Sequence, residues 1–203
     1  MKTGAAILGA GGHARVVASI LKANDISLLG FFDDNFKEGE QIRGAPVLGR
    51  FRDVLNFKEN ISAAYLAIGD NARRKTMYDF LKENHFKMPA LIHPQSCIEN
   101  DVVVGGGSAV CLGACLATEV QVGRGVIINT GSSVDHECVV GDFAHVAPGV
   151  TVAGRVTIGP GTFIGMNASV ADKITIGEKA TVGAGAVILK DVPDETTAVG
   201  VWN

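Results

Sequence analysis

The chain has 203 residues, 47% of them apolar, and a formal net charge of −3, so it holds one large or two small domains. Its slight negative charge argues against general nucleic-acid binding, and no apolar run reaches the length of a membrane span. Met1-Lys2-Thr3 lead straight into a strand pattern instead of a cleavable leader, and the four cysteines (Cys97, Cys111, Cys115, Cys138) contain no CxxC pair, so a cytoplasmic protein with reduced thiols and no bound metal is expected.

Residues 5–8 read as a short buried strand, 9–12 as a glycine turn and 13–23 as a helix. Residues 28–32 read as a second strand, ending at Asp33-Asp34. Residues 63–68 read as a third, followed by Gly69-Asp70-Asn71 as turn and cap and by an amphipathic helix over 72–83. This alternation predicts an α/β domain over 1–90, a small Rossmann-like parallel sheet with helices on its faces. The stretch 88–96, with Pro89 and Pro94, is the hinge into a second domain over 91–203.

That second domain follows another rule. From Ile92 to Ile188 every sixth residue is Ile, Val or Leu, 17 consecutive positions without a miss. A period of six fits neither a helix nor an ordinary strand and marks a parallel β-helix of hexapeptides, three per triangular coil. The position two before each aliphatic is mostly small (Ser96, Ser108, Ala114, Ser132, Ala144), and the position just after is often glycine (Gly105, Gly123, Gly141, Gly159), expected to ease the corner. Coils stack at a strand spacing of about 4.8 Å, so residues 18 apart lie side by side.

Two segments carry candidate chemistry. Gly9-Ala10-Gly11-Gly12-His13-Ala14 after a strand, with Asp33-Asp34 about twenty residues on, loosely matches a dinucleotide fingerprint, whose backbone N–H groups cradle phosphate. A complete dinucleotide fold needs two such halves and 90 residues hold one, so a nucleotide diphosphate suits it better than NAD; a plain turn is the alternative. Gly69-Asp70-Asn71-Ala72-Arg73 should lie on the same sheet edge, with Arg73 or Arg74 in position to reach a phosphate. The other segment is Asp135-His136-Glu137. His136, two residues past the inward Val134, points outward beside carboxylates, which can fix an imidazole's tautomer and raise its basicity; a solvated surface histidine is the plain alternative. One coil along, at 136 plus 18, stands Gly154, outside the usual glycine phase; it leaves room for a ligand, and its N–H is available to a developing oxyanion. His145, nine residues on, is a second contact candidate.

Together with Phe32-Asp33-Asp34, Leu91-Ile92-His93-Pro94 and Asn129-Thr130, these segments resemble the sialic-acid O-acetyltransferase-like and bacillosamine-pathway branch of the hexapeptide acyltransferases, over nearly the whole chain. The resemblance implies a left-handed β-helix, a homotrimer with active sites between subunits, and acetyl-CoA-dependent N-acetylation of a nucleotide-linked amino sugar, a UDP-4-amino sugar being favoured. It makes His136 the general base and Glu137 its orienting partner, with Asn129 at the substrate. It sets His145, Gly154, Met166 and Ala184 along acetyl-CoA, and Gly9, Gly11, Gly12, His13, Asp33, Asp34, Gly69, Asn71 and Arg73 at the sugar nucleotide. The family's Gly-x-Pro-Ala-Lys/Arg ending, which helps shape the CoA end of the cleft, begins here at Val199-Gly200 and departs at Val201-Trp202-Asn203. The rival readings are a sugar O-acetyltransferase, a non-catalytic scaffold for a sugar-modifying enzyme, and an NAD-linked enzyme.

Overall fold

The computed structural model describes residues 3–203; the expectation drawn from Met1 and Lys2 lies outside them. The N-terminal unit is a five-stranded sheet with helices against it. Strands β1 (Gly4–Leu8), β2 (Leu28–Phe32), β3 (Gln41–Ile42), β4 (Ala45–Gly49) and β5 (Ile61–Leu66) take the order β3-β4-β2-β1-β5. All pairs are parallel except the β3–β4 hairpin. That hairpin and the 3₁₀ helix Phe51–Asn60 go beyond the expected elements. The hairpin's two-residue loop, Arg43-Gly44, has φ of 51° and 82°, as a type I′ turn requires. Helix α1 (Gly12–Ala23) buries Ala14, Val17, Ala18, Ile20 and Leu21, whose 3-and-4 spacing makes one apolar stripe. Helix α2 (Asn71–Glu83) buries Arg74, Tyr78 and Leu81.

The rest of the chain is the left-handed parallel β-helix, three stacked sheets of two-residue strands. The first face runs from Leu91–Ile92 to Thr197–Ala198, the second from Cys97–Ile98 to Val201–Trp202, and the third from Val103–Val104 to Thr175–Ile176. In-register partners differ by 18 from coil to coil up to Ile188. The sixth-residue aliphatics fill the prism, with Val110, Ile128, Val146, Ile164, Ile176 and Ile188 wholly buried. The stripe's first member departs from this: Ile92 is 37% exposed, because no coil lies beneath it.

The glycine phase after each aliphatic has a different cause from the one expected. Those residues do not adopt left-handed backbone. A Cβ at Gly105 would stand 2.6 Å from the Gly123 carbonyl carbon, and one at Gly141 2.7 Å from the Pro160 nitrogen. They are glycines because successive coils touch there. The left-handed corner residue comes two positions later and is often not glycine, as at Glu137 (φ 58°) and Phe143 (φ 59°).

The two units share cores. Leu91 and Cys111 join the cluster under α1, and Phe143 joins the cluster under α2, edge-on to Tyr78 at 5.3 Å. The N-terminal unit therefore sits on the first face of the prism. Among the described residues, no helix is long and apolar enough to cross a membrane.

Candidate active site

His136 stands at the edge between the second and third faces, after the strand Ser133–Val134. Its backbone N–H donates to Asp135 Oδ1 at 2.8 Å, so Asp135 caps the turn and leaves the ring alone. The ring's Nδ1 is 2.9 Å from Glu137 Oε2. A carboxylate only accepts, so Nδ1 carries the proton and Nε2 holds the free lone pair of the neutral ring. Glu137 reaches back because it occupies the left-handed corner position, a strained conformation for a non-glycine residue. The imidazole lies against Gly154 on the next coil, where an added Cβ would collide with Nε2 and Cε1. Among the described residues the Gly154 N–H donates no hydrogen bond.

Asn129, His145, Met166 and Ala184 lie elsewhere. Asn129 follows the first-face strand Ile127–Ile128, and its amide is 3.1 Å from Nε2 of His145, the in-register partner of Ile127 on the next coil. Met166, 55% exposed, and the exposed Ala184 stand two residues past Ile164 and Val182, on the same edge between first and second faces. Within one chain the whole width of the second face separates this group from His136 and Gly154. The expected acetyl-CoA residues are thus split between two edges.

The N-terminal unit presents its glycine turn at the C-terminal edge of its sheet. Gly9 has φ of 109°, and an added Cβ there would meet the Ala67 carbonyl oxygen at 2.7 Å. Gly11 and Gly12 have open space where a Cβ would stand, and α1 begins there with no side-chain cap, which leaves N–H groups free for an anion. Gly69 is equally open, Asp34 is exposed, and Arg73 is exposed on α2.

Three of the expected nucleotide contacts make hydrogen bonds within the chain. Asp33 is buried and accepts the N–H groups of Ala10 at 2.8 Å and Asn35 at 2.9 Å, tying the turn to β2. Asn71 donates to the Gly161 and Thr162 carbonyls at 2.8 and 3.2 Å and accepts from Arg74, so both ends of its amide are spent on the prism junction. Arg74, an alternative phosphate ligand, is 1% exposed. It donates to the carbonyls of Gly125, Ile68, Gly69, Phe143 and Ala144 and to Asn71 Oδ1. This clamp escaped the sequence reading, although Asn71, Arg74, Tyr78 and Leu81 form the inward stripe of a helix.

Beside Arg74 two histidines meet. His13 Nε2 and His145 Nδ1 are buried with no hydrogen-bond partner. Burial, reinforced by the Arg74 charge, lowers both to about 4. Both are therefore neutral in the folded protein and free to protonate near 6.5 once unfolded. Stability should be complete above pH 6.5 and fall as pH drops toward 4, where the unfolded chain binds more protons. Two such groups give a slope approaching about 2.7 kcal/mol per pH unit. Paired carboxylates such as Asp142, held below the usual 3.8 by Arg124 against burial, the largest influence and one that raises it, act only at lower pH. Urea midpoints at pH 7.5, 6 and 5 should decline steadily; a flat series would contradict neutral burial of the pair.

A cleft of about 830 Å³ runs between α2 (Asn71, Lys75) and the prism (Phe143, Phe163, Thr181). It lies at the junction of the two units, on a different edge of the prism from His136.

Residues 5–81 match the PglD N-terminal domain family, and residues 155–190 match the bacterial transferase hexapeptide (six repeats) family. The chain is similar to a histidine-to-asparagine variant of perosamine N-acetyltransferase from Caulobacter crescentus, solved with CoA and GDP-perosamine: 34% identity, TM-score 0.94, over 97% of this chain and 93% of that one. It is similar also to the acetyltransferase domain of PglB from Neisseria gonorrhoeae with acetyl coenzyme A: 34% identity, TM-score 0.92, over 98% and 97%. The UDP-N-acetylbacillosamine N-acetyltransferase of Bacillus subtilis is 33% identical over 112 residues, 52% of this chain and 50% of that protein. The matches span half or less of the length of the curated relatives.

Proposed function

Because the chain belongs to the PglD-like hexapeptide-repeat acetyltransferases, we propose that it transfers acetyl from acetyl-CoA to the amine of a nucleotide-linked amino-deoxy sugar, a UDP-4-amino sugar being favoured, in the cytoplasm. The observation that carries the reading is the His136 ring, held at Nδ1 by Glu137 with Nε2 beneath Gly154. The sugar nitrogen attacks the thioester carbonyl while Nε2 takes the amine proton. The carbonyl π electrons move onto oxygen, and the Gly154 N–H donates to that oxyanion. Collapse of the tetrahedral intermediate breaks the carbon–sulfur bond, and the His136 imidazolium returns its proton to the CoA sulfur. No covalent enzyme intermediate and no metal is required.

The nucleotide is assigned to the N-terminal domain, 1–90, at Gly9, Gly11, Gly12, Asp34, Gly69 and Arg73. The β-helix domain, 91–203, takes acetyl-CoA. His145, Met166, Ala184 and Asn129 sit one face away from His136 and Gly154, so a second copy is needed to bring the two edges together. A homotrimer of side-by-side prisms does this and closes three equivalent sites.

The test is thiol release from acetyl-CoA with a panel of UDP-, GDP- and dTDP-linked amino sugars. Release is expected with one amino sugar and none with its hydroxyl counterpart. Release with a hydroxyl acceptor alone would assign O-transfer, and silence across the panel would leave a non-catalytic partner.

A further inference from the structure

The two prism edges that the proposed trimer brings together differ in charge. The edge between the first and second faces, over residues 111–114, 129–132, 147–150, 165–168 and 183–186, holds no charged side chain. The His136 edge holds many, and they are sorted by height. Beside and below His136 stand Glu99, Asp101, Glu119, Asp135 and Glu137, with no Lys or Arg among residues 99–102, 117–120 and 135–138. Above it stand Arg155, Lys173 and Lys190, with Asp172 and Asp191. CoA carries its negative charge in phosphates far from the thioester. Like charge turns that end away from the lower coils, so the pantetheine arm climbs from Gly154 toward the last coil. Met166 and Ala184 climb through the same coils as Asp172 and Lys190, on the uncharged edge.

Two of the three cations are already matched. Arg155 and Lys173 both face the Asp172 carboxylate, at 3.7 and 3.6 Å. Among the described residues Lys190 pairs with no carboxylate, and Asp191 beside it accepts the Thr175 N–H at 2.7 Å. The Lys190 Nζ lies instead 5.6 Å from the centre of the Trp202 ring. That ring is held from two sides: it packs on the end of the prism core, and its Nε1–H donates to the Asp191 carbonyl at 3.1 Å. The aromatic face places the ammonium without neutralising it. The height also fits. Gly154, Asp172 and Lys190 follow the in-register residues Val152, Val170 and Ile188, so Lys190 stands two coils, about 10 Å, above Gly154. The arm from sulfur to the first phosphate has the chain length of about four peptide residues, or roughly 14 Å extended, and the lysine side chain covers the difference. We propose that Lys190 contacts the diphosphate of acetyl-CoA and that Trp202 is a positioning residue for it. Trp202 stands at the proline position of the Gly-x-Pro-Ala-Lys/Arg ending, so this chain closes the CoA end of the cleft with its own pair.

The proposal rests on the acetyl-CoA reading above, and the experiment separates the two. The full-length protein is titrated calorimetrically with CoA and with pantetheine, which lacks the phosphates. Lys190→Gln is expected to weaken CoA binding by about tenfold, to leave pantetheine binding unchanged, and to flatten the salt dependence of CoA binding. Trp202→Leu should weaken CoA binding similarly but add little in a Lys190→Gln background, which a merely structural role for Trp202 would not produce. Unchanged CoA affinity in Lys190→Gln, an equal loss for both ligands, or no CoA binding by the parent protein overturns the proposal. The expected binding pattern without acetyl transfer to any acceptor would overturn the transfer reading and leave the Lys190 contact standing.

Discussion

His136→Gln is expected to lower turnover by about 10²- to 10⁴-fold, the usual contribution of a positioned base. Glutamine keeps much of the ring's bulk and polarity but has no basic nitrogen. The KM for acetyl-CoA should stay close to that of the parent protein, because the Gly154, Met166 and Ala184 surfaces are untouched. Near-normal turnover would remove His136 from the mechanism. Gly154→Ala gives a second arm. The added methyl would collide with Nε2 and Cε1 of His136, so the ring must swing away and turnover should fall comparably. In a His136→Ala background the same glycine substitution should cost little more, since there is no ring to displace. An equal further loss there would shift Gly154's importance from accommodating the ring to its own N–H.

The pairing of His136 with Gly154 was legible in the sequence because an uninterrupted period of six leaves only one way to stack the coils. Legibility failed where a residue's partner came from the other unit. Asn71 carries the residue type of a nucleotide site, yet its hydrogen-bonding capacity is directed to the Gly161 and Thr162 carbonyls of the prism. No single-chain pattern records which polar group a docked domain will consume. The β3–β4 hairpin was missed for a local reason. β3 has only two residues, the turn is Arg43-Gly44 instead of the stronger Asn-Gly signal, and Pro46 interrupts the β4 pattern. The glycines at 105, 123 and 141 were visible, but sequence alone could not separate a demand for space from a demand for left-handed backbone. Only the approach of Gly123 and Pro160 on the next coil distinguishes them.

Arg74→Met is expected to destabilise the protein by about 3–5 kcal/mol, because several buried carbonyls lose their donor at once. The guanidinium faces no carboxylate at hydrogen-bond distance. Its charge is spread over carbonyls from both units: Ile68 and Gly69 at the start of α2, and Gly125, Phe143 and Ala144 on the prism. Burial lowers it to about 10, with Asp70 working the other way, so it remains protonated at neutral pH. Methionine fills much of the volume but leaves those oxygens buried without donors, each costing on the order of 1–3 kcal/mol if water cannot reach it. Lysine retains the charge but has three donors on a single nitrogen and cannot span both units, so Arg74→Lys should recover only part of the loss. The denaturation midpoint reports the stability. The kinetic consequence is more specific. Arg74 holds the Ile68-Gly69 turn and α2 against the prism, so the lysine variant should raise KM for the sugar nucleotide more than KM for acetyl-CoA, whose proposed contacts lie on the prism alone. Equal changes in both constants would make Arg74 a general stabiliser with no part in setting the distance between the two halves of the site.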